Sequence, residues 1–264
     1  MGKNLLLTNL ADNYYFGNTK ELMIDEINKL FSHCASTGRL IDEVLFIAYA
    51  FDGGDWNSYI NNVKDLFPDQ QFRLINEFSN PVEAIGNAQA VCVGGGNLNY
   101  LKNSVSDVMF DKLNTRIENG MPYIGWNEGA VLACPTHIDD LNASEIFIDL
   151  VPFQIFCHFK MNLANETKIR AFLIGNSDRI LPIVQVVCFS DSTTVNSFQK
   201  IPEKDVVQDT DKKADAEEEG SGIRIEESNA GLAGTESAPA VIIYQLVDGN
   251  LFSFPLDPNN VAIM

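Results

Sequence analysis

Short apolar runs alternate along the first half of the chain with longer stretches in which apolar residues recur every three or four positions. Leu5-Leu6-Leu7-Thr8, Val44-Leu45-Phe46-Ile47-Ala48, Phe72-Arg73-Leu74-Ile75, Ala90-Val91-Cys92-Val93 and Tyr123-Ile124-Gly125-Trp126 are too short for helices and mostly apolar. They predict strands buried on both faces. Leu22, Ile24, Ile27, Leu30 and Phe31 keep a helical spacing, as do Tyr59, Val63, Leu66 and Phe67. Pro81 to Asn87 predicts a short helix with its proline in the first turn. Leu101, Val105, Val108, Met109, Leu113 and Ile117 predict one long helix, closed by Asn119-Gly120. Buried strands joined by helices make a doubly wound, mostly parallel sheet flanked by helices, an α/β three-layer sandwich.

The pattern changes after residue 150. Leu150 to Phe159 and Ile180 to Phe189 read as strands, with a helix from about Asn165 to Ile174 between them. From Glu203 to Ala238 the periodicity is lost and Glu, Asp, Lys, Ser and Gly dominate, which predicts a disordered loop. Val241 to Leu246 and Leu251 to Phe254 then flank Asp248-Gly249, the signature of a hairpin. The expected organisation is a single domain: residues 1–202 form its α/β body, 203–238 an acidic insertion, and 239–264 a hairpin that completes it.

Composition sharpens this picture. The chain has 264 residues, 45% of them apolar, enough for a sizeable core. The net charge is −18, of which −7 falls between Glu203 and Glu236, where eleven acids meet four bases. A chain this acidic, with no basic stripe, repels phosphate backbones and anionic lipid, so neither nucleic acid nor membrane is an expected partner. The five cysteines are scattered, without C-x-x-C spacing, which argues against a disulfide framework or a zinc site and fits a reducing cytoplasm. No metal or cofactor is expected. The N-terminal apolar run is too short for a secretory leader.

Three features could carry chemistry. Gly125-Trp126-Asn127-Glu128-Gly129 follows a strand and opens an apolar helix, the setting of a G-x-S-x-G nucleophile elbow. Its central residue is Asn127, whose amide is no nucleophile. On its own the pentapeptide is equally a plain strand-to-helix turn. Gly94-Gly95-Gly96-Asn97 ends another strand and could supply oxyanion donors or serve only as a turn. His158 lies in an apolar run after the elbow, the chain order of a hydrolase, yet a hydrogen-bonded core histidine has the same surroundings. His137 follows the elbow helix, and His33 sits on a helix with no evident partner.

These blocks resemble the peptidase E family of serine peptidases, α-aspartyl dipeptidases with a class I glutamine amidotransferase-like fold. The family carries V-G-G-G-N, then Y-I-G-W-S-A-G-A-N-L-A-C-P-T, then F-P-L-Q-I-N-P-H-F. This chain has Val93-Gly94-Gly95-Gly96-Asn97, then Tyr123 through Thr136, then Val151 through Phe159. The resemblance spans roughly residues 1 to 190. It implies a nucleophile position at Asn127, with His158 as base, and oxyanion or substrate contacts at Gly94, Gly95, Gly96, Asn97 and Trp126. The departures fall on the chemistry: asparagine replaces serine, Glu128 replaces alanine, and Ile183 follows Leu181-Pro182 where the family has an acid. Asp139 and Asp140 are the nearest replacements for that acid.

Losing the serine of such a triad costs about a million-fold in turnover and leaves roughly 10³–10⁴ over water. The resemblance therefore implies a peptidase E-like protein with lost or strongly altered activity and a small peptide or amide as ligand. One alternative is hydrolysis without an acyl intermediate, with Glu128 as general base and His158 assisting. Another is an acidic interaction protein acting through residues 203–238. Oligomeric state is open.

Overall fold

The computed structural model describes residues 3–10, 14, 16–140, 147–176, 185–190, 197–201, 241–247 and 250–255. The acidic insertion read over residues 203–238 lies outside the described residues. Strands β1 (Lys3–Thr8), β2 (Glu43–Ile47), β3 (Gln71–Leu74), β4 (Ala90–Val93) and β5 (Tyr123–Trp126) pair in parallel in the order β3-β2-β4-β5-β1. Five further strands are β6 (Gln154–Phe159), β7 (Gln185–Ser190), β8 (Ser197–Ile201), β9 (Val241–Val247) and β10 (Asn250–Pro255). The helices are α1 (Lys20–Ser36), α2 (Trp56–Lys64), α3 (Pro81–Asn87), α4 (Leu98–Ser104), α5 (Asp107–Glu118), α6 (Glu128–Leu132) and α7 (Leu163–Gly175).

Successive strand residues face opposite sides, so each central strand feeds two cores. Leu5, Leu7, Leu45, Ile47, Val91 and Val93 pack with residues of α3, α5 and α6. Leu6, Val44, Phe46, Cys92, Ile124 and Trp126 pack with α1 and α2. This is the mostly parallel, helix-covered α/β sheet that the apolar runs predict.

Two features of the sheets go beyond the expectation. Strand β8 adds antiparallel to β1 at the edge, completing a six-stranded sheet. Strands β10-β9-β7-β6 form a separate four-stranded sheet in which only β6 and β7 are parallel. The hairpin of β9 and β10 is present, with Val247 opposite Asn250.

Several elements differ from their sequence reading. The single long helix is two: Val105 is extended (ψ 111°) and Ser106 caps α5, its carbonyl accepting from Met109 and Phe110 at 2.9 and 3.0 Å. Val108 is 60% exposed, because the break re-aims α5. In α1 the buried face runs through Met23, Ile27, Leu30, Phe31 and Cys34, while Leu22 is half exposed. Leu66 and Phe67 are buried beyond the end of α2. The strand read from Leu150 begins only at Gln154. Before it, the amides of Ile148 and Leu150 donate to the carbonyls of Leu132 and Ala133 at 3.2 and 2.8 Å, closing the end of α6. Of the strand read from Ile180, residues 180–184 lie outside the described residues. Among the described residues no helix is long and apolar enough to cross a membrane.

Candidate active site at the sheet edge

Parallel strands end at a common edge, and ligands of such sheets bind outside their carboxyl ends. Strand β5 lies between β4 and β1, with Gly125 opposite Val93 and Leu7, and Trp126 opposite Thr8. The turn after β5, the glycine loop after β4 and the residues after β1 therefore meet at one place. Close packing demands the glycines. A Cβ on Gly129 would lie 2.1 Å from the Val93 carbonyl oxygen, and one on Gly125 would lie 2.6 Å from that of Gly129. A Cβ on Gly94 would lie 2.1 Å from the Tyr59 hydroxyl. At Gly96, φ is 141° and a Cβ would meet the Ala50 carbonyl oxygen at 2.1 Å.

The elbow has the strained backbone of a nucleophile turn. Asn127 has φ 50° and ψ −113°, sterically costly for a residue with a Cβ. Its side chain, however, is fully buried. Asn127 Oδ1 accepts the Leu10 N–H at 2.7 Å, and Nδ2 donates to the Leu10 carbonyl at 3.1 Å. The amide thus acts like one rung of a β-ladder, satisfying both polar groups of a buried backbone unit.

Glu128 opens α6 half-buried. Its Oε2 accepts the Gly96 N–H at 2.5 Å. Burial raises its carboxyl above the ordinary range; the Gly96 and Glu128 amides and the charge of His158 pull it down, and Asp52 pushes it up. A loop amide that could stabilise an oxyanion is already engaged by a carboxylate.

His158, expected from the resemblance as the base, lies near enough to Glu128 for its charge to act on that carboxyl. It lies in β6 where the pairing to β7 is irregular, with φ 54°. Its N–H donates to Asn9 Oδ1 at 3.2 Å, just beyond β1. The neighbouring Cys157 Sγ donates to the Asn127 carbonyl at 3.5 Å. Strand β6 is so tied to the elbow from the second sheet.

Other expected site residues are built into the frame. The Trp126 ring is wholly buried, stacked on Phe46 (5.7 Å, 18°) and edge-on to Phe16 (5.4 Å, 75°). It belongs to the core on the α1 and α2 side, which corrects its reading as a substrate contact: the strand's alternation turns it inward. Asn97 caps α4, its Oδ1 accepting from Asn99 and Tyr100 at 2.9 and 3.2 Å. Gly95 is buried within the loop. Asp139 pairs with Lys168 at 2.5 Å and faces His137 at 3.7 Å, and Asp140 accepts the Thr136 hydroxyl at 2.8 Å. Among the described residues no group of three or more His, Cys, Asp or Glu is placed to hold a metal.

Sequence reasoning missed Tyr14 and Asp52. The Tyr14 hydroxyl donates to Asp52 Oδ1, and a Cβ on Gly96 would touch that hydroxyl at 3.0 Å. Burial first, and then the bond to Asp52, push Tyr14 up to about 12. Both residues follow parallel strands, so the rule that sites gather at the carboxyl edge was the available signal.

The profile of Peptidase family S51 matches residues 17–189. Peptidase E of Nostoc sp. is 31% identical over 199 residues, spanning 67% of this chain and 77% of that protein. Peptidase E of Salmonella heidelberg is 31% identical over 147 residues, spanning 49% of this chain and 64% of that protein, so this match leaves about a third of the relative uncovered. Among solved structures, a peptidase from an acI-B1 Actinobacterium aligns with a TM-score of 0.51 at 14% identity, over 72% of this chain and 81% of that one, a likeness of fold. With the glycine frame, the strained elbow and His158 assembled at one sheet edge, and a family match from residue 17 to residue 189, the chain belongs to peptidase family S51.

Proposed function

We propose that this protein has lost serine-type peptidase activity, or retains it only in strongly altered form, and binds a small peptide or amide without forming an acyl-enzyme. One observation carries the reading: the residue at the nucleophile position is an amide whose oxygen and nitrogen are both bonded to the Leu10 backbone. Glu128 supports it, since a carboxylate on the Gly96 amide opposes a developing oxyanion. The free cysteines fit a reducing cytoplasm as the site of action.

The test is labelling by a serine-directed fluorophosphonate together with hydrolysis of Asp-X dipeptides. The expected result is neither. Asn127→Ser alone stays inert because Glu128 still occupies the loop amide, whereas Asn127→Ser combined with Glu128→Ala gains labelling. Robust turnover by the unaltered protein overturns the reading.

A second reading makes Glu128 a general base on water, with His158 assisting. The observation that favours it is the raised carboxyl of Glu128 within reach of the His158 charge. It requires that Glu128→Gln abolish amide hydrolysis detected in a substrate screen; equal rates in the two proteins reject it.

A further inference from the structure

His158 stands in a defect of its strand. Along β6 and β7, Phe156 is opposite Cys188 and Phe159 opposite Ser190, so Cys157 and His158 together face one residue, Phe189. The extra residue makes a β-bulge, a device that re-aims a side chain. His158 takes up the distortion, with a φ of 54° that is unfavourable for a residue carrying a Cβ. Such a conformation persists only where its surroundings hold it. Here the hold comes from the other sheet. The His158 N–H donates to Asn9 Oδ1 at 3.2 Å, and Asn9 is buried directly after β1. The next residue, Leu10, takes both hydrogen bonds of the Asn127 amide at 2.7 and 3.1 Å. Two consecutive residues after β1 therefore grip the histidine and the apex of the turn.

An asparagine that merely satisfied one amide would not need the bulge, since a regular strand has no strained φ. The distortion has a consequence at the side chain: the His158 charge acts on Glu128, whose carboxylate lies on the Gly96 amide. We infer that Asn9 is a positioning residue, which holds the bulged backbone of His158 and so keeps its imidazole beside the turn after β5, within electrostatic reach of Glu128. The inference goes beyond the functional reading, because it concerns how this pair is set and stands whether the site turns a ligand over or only binds one.

Nuclear magnetic resonance of the full, isotopically labelled chain tests this through Glu128. Burial raises that carboxyl, as does Asp52 from the loop after β2, while the Gly96 and Glu128 amides and the charge of His158 lower it. In Asn9→Ala the histidine is released, and the Glu128 titration, followed at its carboxyl carbon, moves up. The His158 amide exchanges at least about tenfold faster, as one hydrogen bond is lost. In a His158→Gly background, where glycine accepts the backbone and no imidazole is present, Asn9→Ala no longer moves Glu128. Asn4→Ala removes a hydrogen bond to the Gly120 carbonyl at the other end of β1 and leaves the Glu128 titration in place. Asn9→Asp keeps an acceptor for the His158 N–H and retains its slow exchange. A Glu128 titration that stays put in Asn9→Ala, moves equally in both backgrounds, or moves as far in Asn4→Ala overturns the inference. Should Asn9→Ala fail to fold by circular dichroism, Asn9→Ser, too short to reach the amide, takes its place. An unprotected His158 amide in the unaltered protein overturns the inference without any variant. Fluorophosphonate labelling tests the functional reading and is independent of these titrations.

Discussion

The loop after β4 and the turn after β5 are neighbours at one sheet edge, and they differ in how tightly physics binds their side chains. In the loop, Gly94 and Gly96 have no room for a Cβ. The turn has the same constraint at Gly125 and Gly129, but between them it carries Asn127 and Glu128, whose side chains do have room. A strained elbow needs only its glycines and its neighbours in the sheet. The chemistry depends on which side chain stands at its apex, so the frame of such a turn can persist whatever residue stands there. Here the apex amide has become part of the frame, because its Oδ1 and Nδ2 together satisfy both polar groups of the buried Leu10 backbone unit.

The comparison breaks most severely at Gly129. Gly129→Ala drives a methyl into the Val93 backbone, which neither neighbouring strand can vacate, and costs about 3 kcal/mol in urea unfolding. A loss below about 1 kcal/mol would mean that the turn relaxes freely. Next comes Asn127→Ala. It leaves the buried Leu10 N–H and carbonyl unpaired, for a loss of about 2 kcal/mol and faster hydrogen exchange at the Leu10 amide. An unchanged melt would return Asn127 to the role of a mere placeholder. Trp126→Phe, which trims a ring stacked on Phe46 in the core, costs about 1 kcal/mol. Ligand affinity stays as it was, since the ring lies off the site; a selective loss of binding would restore Trp126 as a contact.

The smallest effect is a pH dependence at Glu128. Its carboxyl is raised in the folded protein, chiefly by burial, so the folded state holds the proton more tightly than the unfolded chain. Stability from this group is present at acid pH and is lost as pH rises from the ordinary carboxylate range through the raised value. Glu128→Gln, whose amide oxygen still accepts the Gly96 N–H, melts higher than the unaltered protein near neutral pH. The gap narrows towards acid. A gap independent of pH would show that Glu128 is solvated like a surface acid.

How much of this was legible in the residues varies with the range of the interaction. The five central strands were readable because continuous apolar runs have one physical use, burial on both faces. The break at Val105–Ser106 was not. The three-and-four spacing passes straight through it, and only an extended β-branched residue followed by a capping serine marks the stop. In α1 the reading slipped by one position, since Leu22 and Met23 are both apolar and only the sheet beneath decides which is buried. Strand β8, paired at the edge, showed no apolar run to find.

At the candidate site the glycine-framed turn after β5 was legible as spacing. Tyr14, Asp52 and the hydroxyl of Tyr59 were not, because each comes from a different strand end or helix and carries no motif. By itself, then, the sequence determined the alternation of elements, the glycine frame and the presence of an asparagine, Asn127, at the apex of the turn. Each depends on local period or on the steric needs of a turn, which neighbouring residues contain. Only the tertiary structure decided that the Asn127 amide is spent on Leu10, 117 positions away, that Glu128 lies on Gly96, and that Trp126 turns into the core. Those outcomes depend on which donor, acceptor or cavity lies opposite in space, and parallel pairing brings such partners from distant parts of the chain.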